Sequence, residues 1–101
     1  MANKDQVIQT VFKAIDDVNA LLMAGQRLAK ARQTVLSSES GGLDSLGLVN
    51  LIVALEQRLQ QDFETGLALV SEDSMSQQNS PFRDVESLSE YVTMLLQKKG
   101  L

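Results

Sequence analysis

The sequence predicts an all-α fold, a bundle of three long helices with a short fourth, and three observations predict it. Apolar residues recur at helical spacing in three separate stretches, within 7–22, 46–63 and 85–96. Strand-like alternation of β-branched residues is scarce, and Pro81 is the only proline. A chain of 101 residues with 44% hydrophobic but only 4% aromatic content holds enough Leu, Val, Ile and Met for one small aliphatic core. Residues 1–101 are therefore expected to form a single domain.

The first helix is expected to start at Asn3, whose side chain suits an N-cap. Val7, Ile8, Val11, Phe12, Ile15 and Val18 follow at helical spacing, with Leu21 and Leu22 continuing the stripe. Lys4, Asp5, Lys13, Asp16 and Asp17 should face water. Gly25 is a natural stop, but Gln26 to Arg32 is again rich in helix formers and carries Leu28 on the same phase. The helix is thus expected to extend or restart, with Arg27, Lys30 and Arg32 on a solvated helical face. Ser37 to Gly42 is polar and aperiodic and reads as a loop.

The second helix is the most apolar and is expected to be the central one. Leu48, Ile52, Leu55 and Leu59 form one row, whereas Leu46, Val49 and Val53 lie towards another side. A stripe that wide means burial between neighbours or an exposed patch used by a partner. Thr65-Gly66 is expected to close this helix, and Glu72 to Ser80 to form a short third helix or an irregular turn around Met75, ended by Ser80-Pro81. Asp84 can cap a final helix with Val85, Leu88, Val92 and Leu95 or Leu96 inward, ending at Lys98-Lys99-Gly100. Met23, Met75 and Met94 are expected to fill gaps in the core.

The functional clue is the junction between loop and second helix. Gly41-Gly42-Leu43-Asp44-Ser45-Leu46 runs directly into the aliphatic segment 48–55, placing one serine at a helix start. Unpaired backbone N–H groups and the positive end of the helix dipole favour a phosphate esterified there. A serine at such a position, taken alone, is usually only a cap. A hydrolase nucleophile is poorly supported: a nucleophile elbow wants glycine two residues either side, and Leu43 stands opposite Gly47. The chain has no histidine to act as base, and no carboxylate or lysine spacing suggests a catalytic pair. Metal chemistry lacks His and Cys ligands, and the acidic residues lack calcium-loop spacing.

A net charge of −4, with no basic segment interleaved with aromatics, argues against nucleic acid. Basic proteins are more natural partners. Lys4 and Asp5 interrupt any apolar leader, and the longest clean apolar run, Leu51 to Leu55, is too short to span a membrane. A cytoplasmic location is expected, which the absence of cysteine suits.

Asp44-Ser45-Leu46, in this setting, resembles the attachment motif of the acyl carrier protein family. The likeness runs through the second helix, Leu46 to Phe63, and returns at Asp84 to Val92; the amino-terminal third matches only in general pattern. The resemblance implies an acyl-carrier-protein-like bundle without catalytic activity, monomeric and activated after translation. A phosphopantetheinyl transferase would use coenzyme A to join 4′-phosphopantetheine covalently to Ser45, with Asp44 and Leu46 completing the motif. The arm's thiol would then carry an acyl group to acyl-loading and acyl-transferring enzymes, recognised through Gly47, Val49, Asn50 and Val53. Gly47 and Asn50 stand where the family often has acids, and Arg58 adds a positive charge near Glu56. Residues 43–56 thus look more like a specialised stand-alone carrier than the highly acidic general carrier of fatty acid synthesis. A peptidyl or aminoacyl carrier would use the same serine, and a helical adaptor without a prosthetic group is the reading from a different class.

Overall fold

The computed structural model describes residues 3–22, 27–36, 45–64, 66 and 83–100, with Ser45 described by its backbone. The regular elements among these residues are all helices: α1 spans Lys4–Asn19, α2 Ser45–Phe63 and α3 Val85–Lys98. Gly25, Met23, the loop expected at Ser37 to Gly42, Asp44, the short helix or turn expected around Met75 and the Ser80-Pro81 break lie outside the described residues.

α1 begins as its sequence requires. The Asn3 side chain accepts from the Gln6 N–H at 2.9 Å and the Gln6 side chain accepts from the Asn3 N–H at 3.2 Å, so a reciprocal capping box satisfies two donors that the helix leaves open. Val7, Ile8, Val11, Ala14, Ile15 and Val18 are buried along one face. Thr10 is buried with them, its hydroxyl donating at 2.7 Å to Asp62 of α2.

The helix neither extends nor restarts across residues 27–36, contrary to expectation. At Asn19 the amide side chain takes the Leu28 N–H at 2.8 Å and donates to the Leu28 carbonyl at 2.9 Å, clamping the chain in a return path. The same segment then pairs with the start of α3. Leu36 N–H donates to Arg83 O at 2.8 Å, and Val85 and Glu86 N–H donate to the Thr34 and Arg32 carbonyls at 3.0 and 2.9 Å. Local helix propensity is worth tenths of a kcal/mol per residue, and these tertiary hydrogen bonds override it. Leu36 is fully buried as a result, while Leu21 is 73% exposed and does not continue the stripe.

α2 buries Leu51, Ile52, Leu55 and Leu59. The helix ends at Phe63, and Glu64 takes the left-handed conformation at φ 54° that glycine usually supplies; Thr65 of the expected Thr65-Gly66 close lies outside the described residues. In α3 the Asp84 carboxylate accepts from Ser87 N–H at 2.7 Å, and Val85, Leu88, Val92 and Leu96 are buried, with Leu95 partly so. Gly100, at φ 82°, ends the element as the sequence suggested. Met94 is 44% exposed, so it is not a core filler.

The buried faces of all three helices, with Leu36, form one aliphatic cluster. α1, rather than α2, is the shared partner: its backbone packs closely along α2 and also against α3. That assignment corrects the expectation that the most apolar helix is the central one. α2 is apolar on two sides because one of them is not covered by the described helices.

Candidate functional site

Ser45 is the first residue of α2, so the residues that follow are set out on a helical ladder from that point. Leu46, Val49 and Val53 are spaced i, i+3 and i+7 and fall on one face. They are 70%, 54% and 48% exposed. Asn50, Gln57 and Gln60, on the same face, are exposed as well. Opposite them, Leu51 and Leu55 are fully buried. A one-residue step of about 100° therefore separates a packed core position from a wet one, as between Ile52 and Val53.

Of the residues expected to meet a partner, Val49, Asn50 and Val53 are exposed, as is Leu46 beside them, and Gly47 is buried. Gly47 lies nearer the core side of the ladder.

Two of the three charged residues of α2, Arg58 and Asp62, are paired to α1. Arg58 makes a two-pronged ion pair with Asp17 of α1, Nε and Nη2 donating to the two carboxylate oxygens at 2.9 and 2.7 Å. Hydrogen bonding from that guanidinium, reinforced by its charge, holds the Asp17 carboxyl below its ordinary range. Asp62 accepts from Thr10 at 2.7 Å and pairs with Lys13 at 3.0 Å, and the Thr10 hydroxyl is the chief cause of its lowered pKa, with Lys13 helping. The positive charge that Arg58 brings near Glu56 is thus paired with α1. The signal that could have found this was positional: Arg58 and Asp62 are four residues apart and share one flank of α2.

The described ends of α2 differ accordingly. At the carboxyl-terminal end a shallow groove is lined by Gln6, Gln9, Thr10, Asp62 and Phe63, about 25 Å along the helix from Ser45. No group of three or more metal-ligating side chains occurs among the described residues. No described helix is long and apolar enough to cross a membrane. Comparison of the chain with family models, curated proteins and solved structures finds no match in any of the three.

Proposed function

We propose that the chain is an acyl carrier protein in which Ser45 bears a covalent 4′-phosphopantetheine arm supplied from coenzyme A, and that it serves a specialised acylation pathway. The observation that carries this reading is the conjunction of Ser45 at the first residue of α2 with an exposed apolar patch immediately after it. A serine needed only as a helix cap would not call for Leu46, Val49 and Val53 to stand in water beside it. An enzyme that must reach the serine, by contrast, needs a surface to hold.

The chain's own part is presentation. Helix-start N–H groups and the dipole favour the phosphodiester that the transferase would form at the Ser45 hydroxyl. The arm's thiol supplies the reactive group, holding the acyl cargo as a thioester, and the acyl-transferring partners supply catalysis. The rest of the acyl-carrier-protein-like bundle, including the short third helix, belongs to this proposal. Helix two's lack of acids at Gly47 and Asn50 favours dedicated partners over general fatty-acid-synthase enzymes.

The test is direct. Apo protein incubated with coenzyme A and a broad-specificity phosphopantetheinyl transferase should gain the mass of one arm, and Ser45→Ala should gain none while keeping its helicity. A native protein that stays unmodified under conditions that load a control carrier would contradict the reading and favour an adaptor without a prosthetic group.

A further inference from the structure

We propose that residues 27–36 form a latch over the bundle that opens and closes as one unit, uncapping α3 while α1 and α2 stay paired. The latch has two holds. The first is Asn19, whose side chain takes the Leu28 N–H at 2.8 Å and donates to the Leu28 carbonyl at 2.9 Å. The second is the start of α3. There Val85 and Glu86 N–H donate to the Thr34 and Arg32 carbonyls at 3.0 and 2.9 Å, and Leu36 N–H donates to Arg83 O at 2.8 Å. Val35 and Asp84 form an antiparallel bridge between these bonds.

The latch and α3 satisfy each other. The first N–H groups of a helix have no acceptor inside it, and for Val85 and Glu86 the latch supplies one. Residues 27–36 are not helical, so Leu36 N–H takes its acceptor from Arg83 in turn. Lifting the latch therefore frees three amides together, those of Leu36, Val85 and Glu86.

The latch is lightly held. Leu36 is its one fully buried side chain, whereas α2 buries Leu51, Leu55 and Leu59 and adds the two-pronged Arg58–Asp17 pair. Lys30–Asp16 and Arg32–Asp5 tie the latch to α1 through side chains at least half in water, and such pairs add little. Segments with few buried apolar side chains open at the low end of a protein's range of stabilities. Opening withdraws Leu36 from the shared cluster, so the core meets solvent beside α3 without unfolding of the helix that begins at Ser45. A partner that favours the open form has only the latch to overcome.

The experiment is native-state hydrogen exchange on the full chain, read amide by amide by NMR, with Asn19→Ala as the variant. In the native chain Leu36, Val85 and Glu86 should show one common protection, ~10-fold or more below that of Leu55 and Val92, which lie inside α2 and α3. Asn19→Ala removes both bonds to Leu28. It should speed exchange at all three amides about tenfold, the scale of one or two hydrogen bonds, although Asn19 bonds to none of them, and should leave Leu55 and Val92 unchanged. Unequal protection among the three in the native chain, or protection equal to that of Leu55 and Val92, overturns the proposal. So does a variant in which Leu28 alone exchanges faster. If Asn19→Ala does not fold, the native comparison still decides. Neither result depends on whether Ser45 bears an arm.

Discussion

α1 and α2 lie against each other and are similar in length, 16 and 19 residues, yet they meet water in opposite ways. The outward side of α1 is charged, and its charges bind other parts of the fold: Lys4 to Glu86 and Glu90, Asp5 to Arg32, Lys13 to Asp62, Asp16 to Lys30, Asp17 to Arg58. The outward side of α2 instead sets Leu46, Val49 and Val53 in solvent beside the uncharged Asn50, Gln57 and Gln60. Everything about α1 is accounted for by folding: an apolar face makes the core and a charged face ties the neighbouring segments to it. Leu46, Val49 and Val53 of α2 take no part in the buried cluster that the described helices form, and this exposed surface begins one residue after Ser45.

The two faces of α2 offer the sharpest way to break this comparison. Leu55→Ala should destabilise by about 2–5 kcal/mol, because Leu55 is fully buried in the shared cluster and its loss leaves a cavity. Thermal or urea unfolding measures it, and a change near zero would mean that the helix is phased differently. The α3 cap comes next: Asp84→Ala removes the acceptor of the Ser87 N–H and should cost about 1 kcal/mol by the same measurement. A gain of about 0.5–1 kcal/mol is expected from Glu64→Gly, which relieves a left-handed backbone at the end of α2; a loss would show that the Glu64 side chain has a stabilising role.

The ion pairs should have a smaller effect, since their side chains are substantially in water. Their signature is pH. Asp17 and Asp62 are both lowered below the ordinary carboxylate value of 3.8. The stability they contribute is therefore present above that value and is lost as pH falls through the lower folded values. Melting temperature should decline on that acidic limb, and Asp17→Asn should make the decline shallower by lowering stability at neutral pH. An unchanged slope would mean that the Asp17–Arg58 pair does not hold α1 to α2 in solution. The smallest effect of all should come from Val53→Ser, within about 0.5 kcal/mol of native, since its side chain is already half in water. A cost comparable to that of Leu55→Ala would dissolve the distinction between the faces.

Much of this was legible in the sequence because periodicity and caps are local. The stripe in α1, the Asn3 and Asp84 caps, the buried row Ile52, Leu55 and Leu59, and the exposure of Leu46, Val49 and Val53 all follow from spacing of 3 and 4 residues. What escaped was set at a distance. Residues 27–36 have helix-forming side chains, but Asn19 and the Arg83 to Glu86 backbone claim their hydrogen-bonding groups from elsewhere in the chain. Arg58 reads as surface charge until Asp17, 41 residues away, is placed beside it. Gly47 reads as part of the exposed patch because its neighbours Leu46 and Val49 are exposed, whereas one step around the helix puts it inside. The exposure of the residues that follow Ser45 was legible in their spacing, whereas the pairing of Arg58 and Asp62 with α1 became visible only in the fold.

Ser45 itself is the central claim, and site localisation tests it most directly. Protein loaded with coenzyme A by the transferase should be digested and fragmented by tandem mass spectrometry, which reads the position of the added group. The account predicts a single arm, on Ser45, at the start of α2. An arm found instead on Ser37, Ser38 or Ser40, or no arm in any fragment, would contradict it.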